Sequence, residues 1–239
     1  MKRSVYIAVP TLDGKFGSAL TQFLCVADRL TRDPASSWSF TKGFYRGYRP
    51  VAYMRNAICR DFLESGCERL WFLDSDIIPP PDAFALLDVE DDIVAGAVPG
   101  YKPAADGNGL VVNLLAYERS NGTHDSIALP EEARHVDAAG TGCMLIHRRV
   151  LEDDRMRLCV DGPEDGRPDN WAPAIFRMVT EPWGAVKMTA DLNFCQRARE
   201  CGYTITLWPD QLFGQYETLD LRDVLSYGAR CAASVEVMT

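Results

Sequence analysis

The chain has 239 residues, 47% of them hydrophobic and 10% aromatic, with 34 Asp and Glu against 25 Lys and Arg for a net charge of −9. That length lies near the upper end of what one hydrophobic core supports, and the composition excludes a disordered or low-complexity chain. The acidic balance, with a pI near 4.9, excludes a protein that grips duplex nucleic acid mainly by general electrostatic attraction.

Taken in chain order, Val5-Tyr6-Ile7-Ala8-Val9 is a short apolar run closed by the turn residues Pro10-Thr11-Leu12-Asp13-Gly14, which reads as a strand and a turn. Phe16, Leu20, Phe23, Leu24, Ala27 and Leu30 then recur at helical period. Val51, Met54, Ile58 and Phe62 predict a second helix over 51–63, after the start signal Tyr48-Arg49-Pro50. Arg69-Leu70-Trp71-Phe72-Leu73 is a strand-length apolar run that stops at Asp74, and Pro79-Pro80-Pro81-Asp82 opens a short helix near Phe84 to Leu87. Ile93–Val98, Cys143–Ile146 and Tyr203–Trp208 are further buried-strand candidates. The stretches 99–108 and 152–170 are rich in Gly, Pro and Asp and read as long loops of the kind that carry function. Strands alternating with helices predict a three-layer α/β fold with a mixed, mainly parallel central sheet. One domain over residues 1–239 is the expectation.

No run of about 18 apolar residues occurs, so the chain reads as soluble, unexported and cytoplasmic. The eight cysteines show no C-x-x-C spacing and read as reduced, buried small hydrophobes. His124, His135 and His147 have no partner at ligand spacing. Lys42-Gly43-Phe44-Tyr45-Arg46-Gly47-Tyr48-Arg49 interleaves bases and aromatics. That pattern suits a donor diphosphate, a nucleic-acid acceptor or a solvated loop.

The chemistry concentrates at Asp74-Ser75-Asp76. In an open α/β sheet, ligands bind at the carboxyl ends of strands. Two carboxylates one residue apart can approach one hard divalent cation, which usually also takes substrate phosphates. Turn or helix capping by the same carboxylates is the competing reading.

These features come together in a pattern that resembles the glycosyltransferases of the GT-A fold, particularly small bacterial and viral proteins related to the large inverting family 2. The resemblance runs from Val5 to about Leu221 and rests on order: Pro10-Thr11 after the first strand, Arg55-Asn56, Leu73-Asp74-Ser75-Asp76-Ile77, Asp137–Ile146 with Gly140-Thr141-Gly142, and Asp191–Ala198 ahead of Gly202-Tyr203. It implies transfer of a sugar from a nucleoside diphosphate sugar to a hydroxyl on a glycan, lipid, protein or modified base, with Mn²⁺ or Mg²⁺ as cofactor. By the same resemblance Pro10, Thr11, Asp13, Arg55, Asn56, Asp74 and Ser75 would contact the donor, and Asp74 and Asp76 the metal. Asp191 would be the general base of an inverting reaction, and the portion from about 137 to 239 would form the acceptor side with Gly140, Thr141 and Gly142. Trp183 is added as an acceptor platform, because a flat aromatic face packs on sugar C–H groups.

Two positions depart from the family pattern. Ala190 stands where an acidic residue usually precedes Asp191, and Gln215 stands where many relatives have a metal-binding His. Gln215 offers an amide oxygen suited to a hard cation, and Glu217 is a nearby acidic candidate. These departures keep open a nucleotide-sugar-binding protein with little turnover. A sugar nucleotidyltransferase is the other alternative, although Pro10–Lys15 is a poor version of that class's glycine-rich basic loop. A haloacid-dehalogenase-like phosphatase would carry its Asp-x-Asp near the N-terminus.

Overall fold

A computed structural model describes residues 2–47, 51–103, 110–120, 123–157 and 175–215. Tyr48, Arg49, most of the 152–170 stretch and Glu217 lie outside the described residues.

The central sheet has seven strands: β1 (Arg3–Thr11), β2 (Trp38–Arg46), β3 (Arg69–Leu73), β4 (Ile93–Ala97), β5 (Arg134–His135), β6 (Cys143–His147) and β7 (Ile205–Leu212). Their spatial order is β5-β7-β4-β6-β3-β1-β2. β1 pairs in parallel with β2 and β3, and β7 with β4. β6 runs antiparallel to both β3 and β4, and β5 antiparallel to β7. The sheet is therefore mixed, with β5 and β6 reversed against the other strands, as the sequence leads one to expect.

Continuous apolar runs form these strands because both faces of the sheet are covered. Val5, Ile7 and Val9 face one core with Trp71, Leu73, Val94 and Leu145. Helix α1 (Ser18–Arg32) closes that side with Leu20, Phe23 and Leu24, helped by the 3-10 turn Ala83–Asp88. Tyr6, Ala8, Leu70, Phe72, Met144 and Ile146 point the other way. Helices α2 (Val51–Ser65), α3 (Arg148–Glu152) and α4 (Ala190–Glu200) cover them through Ile58, Phe62, Val150, Phe194 and Cys195. Alternate residues of each strand thus serve opposite layers.

The expected loop over 99–108 is corrected in part. Pro99–Pro103 is a strand paired antiparallel with Leu110–Leu114. Gly and Pro mark turns, but cross-strand pairing to a later segment overrides that local preference. Among the described residues, no helix is long and apolar enough to cross a membrane. The described cysteines are free, most of them buried.

At the amino end of β3, the buried Arg69 guanidinium donates to the carbonyls of Leu87 and Val89 and meets Glu90 at 3.3 Å. The opposite, carboxyl edge is where the strand-following loops converge.

Candidate active site

Three carboxyl-edge segments meet around Asp74. β3 ends at Leu73, and the Asp74 amide donates to the Gly142 carbonyl at 3.0 Å. Gly142 lies in the loop leading into β6, which enters the same edge because it runs antiparallel. A Cβ on Gly142 would sit 3.4 Å from Ile77 and 3.8 Å from Asp74 Oδ2, in ordinary van der Waals contact with both.

Ile77 and Ile78 pair with Gln215 and Gly214, which brings the residues just after β7 onto the acidic loop. Gln215 Nε2 donates to Asp76 Oδ2 at 3.2 Å. Asp74 Oδ1 and Gln215 Oε1 are buried with no hydrogen-bond partner. A buried lone-pair acceptor left unpaired costs about 1–3 kcal/mol. Two such oxygens beside Asp76 form an all-oxygen donor set of the kind hard divalent cations take. Asp74, Asp76 and Gln215 therefore fit a divalent cation in their chemistry, although among the described residues no three His, Cys, Asp or Glu side chains cluster as a metal site.

Arg55 links this loop to α4. Its side chain, on the sheet-facing side of α2, is 7% exposed. The guanidinium pairs tightly with Asp191 Oδ1 and stands 3.9 Å from Asp74 Oδ2. Asp191, in the first turn of α4, also accepts from the amide and hydroxyl of the buried Thr141 at 3.3 Å each. Thr189 caps the helix by accepting from the Leu192 amide, which fixes where Asp191 begins its turn. Both oxygens of Asp191 are thus engaged.

Burial pushes the Asp74 carboxyl from its ordinary 3.8 up to about 6, with Arg55 pulling it down and the charges of Asp191 and Asp76 adding to the rise. The side chain as a whole is 32% exposed, while Oδ1 is enclosed. An acid whose folded pKa is raised withdraws stability as pH climbs from its unfolded value through about 6, because burial disfavours the ionised form. Asp74→Asn is therefore expected to raise the melting temperature of the ligand-free protein by about 2–4 °C at pH 8. At pH 3, where the carboxyl is largely protonated in the folded and unfolded chains alike, melting curves of the two proteins should converge.

Other expected donor contacts are placed differently. Thr11 is buried, and its hydroxyl accepts from the Gly14 amide and donates to the Lys15 carbonyl. Pro10 is buried at the end of β1. Asp13 is exposed and accepts from the Lys15 amide. Ser75 is half-buried beside the two aspartates. Asn56, expected at the donor, is buried with its amide bonded to backbone. Its Oδ1 accepts from the amides of Ile175 and Phe176, and its Nδ2 donates to the Phe176 carbonyl. Gly140 donates its amide to the Leu115 carbonyl, and Trp183 projects from a hairpin at 76% exposure.

No protein-family model matches the sequence, and no curated protein sequence does. The chain has the fold of A197 from STIV. The two share a TM-score of 0.50 at 18% identity, over 90% of this chain and 86% of that one. GalNAc-T7, solved with UDP, GalNAc and Mn²⁺, gives 0.47 at 11% identity, over 92% of this chain and 44% of the other. The inositol-1-phosphate CTP transferase from T. maritima gives 0.38 at 10% identity, with 95% of each chain covered.

The structure adds two residues that no sequence signal singled out. The Phe176 ring lies 5.9 Å from the Arg55 guanidinium carbon. Tyr117, on the strand Ala116–Ser120, has its phenol pushed up by burial and then by the charge of Asp191. Neither sits in a motif, and only the folded chain brings them to α4.

Proposed function

We propose that the chain transfers a sugar from a nucleoside diphosphate sugar to an acceptor hydroxyl, with inversion at the anomeric carbon. The observation that carries this reading is the convergence of Asp74, Asp76, Gln215, Arg55 and Asp191 at the carboxyl edge of the sheet, with two buried oxygens lacking partners. That is where ligands bind in open α/β folds.

Asp74, Asp76 and Gln215 would hold a divalent cation. When bound, such an ion offsets the charge that develops on a departing diphosphate. Arg55 sets the distance between the acidic loop and α4. Asp191 takes the proton of the acceptor hydroxyl as its oxygen attacks the anomeric carbon, and the bond from that carbon to the diphosphate breaks. The nucleoside diphosphate leaves with the bonding pair. For this step the hydroxyl replaces one of the contacts that Asp191 makes to Arg55 or Thr141. Nucleotidyl transfer is disfavoured because the Thr11–Lys15 turn spends its hydroxyl and Asp13 on its own backbone.

The test is a panel of nucleotide sugars with Mn²⁺ or Mg²⁺, followed by thermal shift and by nucleoside diphosphate release. Asp76→Ala is expected to abolish the metal-dependent thermal shift. Absence of any nucleotide-dependent shift in the unaltered protein would overturn the proposal. Stabilisation without release, even with a broad acceptor set, would reduce it to nucleotide-sugar binding.

A further inference from the structure

A second polar cluster lies at the β5 edge of the sheet. There His135 of β5 pairs with Thr206 of β7, and the Asp137 amide donates to the Tyr117 carbonyl of the strand Ala116–Ser120 at 2.9 Å. Arg199, in the last turn of α4, reaches the same place through Asp137. It stands about 12 Å along the helix from Asp191.

Glu118, Arg119, His135, Val136, Asp137 and Arg199 line a cavity of about 250 Å³ there. That falls just below the roughly 300–1,000 Å³ of sites for drug-sized molecules, so the occupant it suits is small. Each acid of the wall already has a cation. Glu118 pairs tightly with Arg134. Asp137 Oδ1 meets Arg199 at 2.5 Å, and its Oδ2 accepts from the Arg119 amide at 2.6 Å. Arg119 is exposed, and among the described residues no carboxylate pairs with its guanidinium. His124, opposite Arg119 in the strand pair, has its imidazole held low by burial first and then by the charge of Arg119.

His135 has a fixed tautomer. The buried Thr206 hydroxyl donates to Asp91 Oδ2 at 2.7 Å. A hydroxyl has one proton, so toward His135 Nδ1, 3.2 Å away, it can only accept. The neutral ring therefore carries its proton on Nδ1 and keeps the Nε2 lone pair as an acceptor. A carboxylate acting through a buried hydroxyl thus orients an imidazole at the cavity wall.

We propose that this cavity binds a small phosphomonoester of a polyol. Its phosphate pairs with the guanidiniums of Arg119 and Arg199, whose planar forks suit phosphate oxygens. Its hydroxyls donate to His135 Nε2 and the Glu118 carboxylate, which can only accept. An uncharged polyol would leave Arg119 without a counter-charge, and an apolar ligand would meet only Val136. A metal ion is disfavoured because, among the described residues, no three His, Cys, Asp or Glu side chains cluster to hold one. The site shares no residue with the proposed transfer machinery and stands whether or not that reading holds.

Glycerol 3-phosphate and glucose 6-phosphate are the probes, with glycerol and inorganic phosphate as controls, in EDTA so that no divalent cation occupies the acidic loop. Calorimetry and ³¹P NMR read binding. Both esters should bind, inorganic phosphate more weakly and glycerol not at all. Arg119→Ala and Arg199→Ala should each weaken the esters by about tenfold or more, and His135→Ala by less. All three side chains are exposed, so the variants should fold. Asp76→Ala should bind the esters as the unaltered protein does. A long-range ¹H–¹⁵N spectrum of the ligand-free protein at alkaline pH should show the His135 proton on Nδ1. Absence of ester binding overturns the proposal, as does equal binding by Arg119→Ala and Arg199→Ala. A proton found on Nε2 of His135 also overturns it, as does inorganic phosphate bound as tightly as the esters. Loss of ester binding in Asp76→Ala would put the ligand at the acidic loop and overturn it as well.

Discussion

Asp191→Asn is expected to lower sugar transfer by about 10²–10⁴-fold, the range a positioned general base contributes, while nucleotide-sugar binding persists. Asparagine keeps the shape of the side chain and can still accept from the Thr141 amide and hydroxyl. It cannot take a proton from an acceptor hydroxyl. Single-turnover nucleoside diphosphate release in the presence of acceptor, paired with the thermal shift given by donor alone, separates the two functions. Transfer at the unaltered rate would remove Asp191 from the base role. Loss of donor binding in the same variant would make it a structural support of the donor site.

Arg55→Ala should have the largest effect on stability. The guanidinium is buried, and it is the cation between Asp191 and Asp74. Its removal leaves two carboxylates facing each other across partly desolvated space. Breaking a buried pair by deleting one partner costs about 3–5 kcal/mol. The partial exposure of both aspartates places the expectation near the lower end, about 3 kcal/mol, for a melting-temperature loss on the order of 10 °C. Arg55→Lys retains the charge without the planar fork and should recover only part of the loss. An unchanged melting temperature in Arg55→Ala would mean that the two carboxylates are adequately solvated in the ligand-free protein. The packing of Arg55 against the Phe176 ring adds to the cost of truncation.

Ala190 and Gln215 bear on turnover in different ways. Ala190 is buried in the first turn of α4, so an acidic side chain there would have to be desolvated. Gln215 keeps an oxygen at the acidic loop while contributing no titratable group. In the proposed reaction, metal-dependent binding would rest on Asp76 and Gln215 and base catalysis on Asp191, so the two would be separable. The Asp76→Ala and Asp191→Asn variants probe them independently.

Much of the fold was legible along the chain because burial on both faces of a sheet writes unbroken apolar runs. Val5–Val9, Leu70–Leu73, Ile93–Ala97 and Cys143–Ile146 all lie within strands. The helical stripes on α1 and α2 were legible for the related reason that one face of each meets the core. Asp74 and Asp76 could be singled out because an apolar run that stops at paired acids marks a strand end. Pro99–Pro103 was misread because its strand depends on pairing with Leu110–Leu114, and its composition favours a loop.

The partnerships within the site were decided by tertiary structure. Arg55 and Asp191 are 136 residues apart, and Asp76 and Gln215 are 139 apart. No periodicity or spacing reports a contact over such distances. Sheet order supplies the contact by seating β6 beside β3 and folding Gly214-Gln215, just after β7, onto Ile77-Ile78. Asn56 likewise looked like a ligand residue by position, and only packing showed its amide committed to the backbone at 175–176. The sequence by itself determined which groups were available: two acids at a strand end, an arginine and asparagine on a helix, and an acid starting a later helix. Which of them face one another, and which are used up in holding the chain together, follows from desolvation and pairing in the folded state.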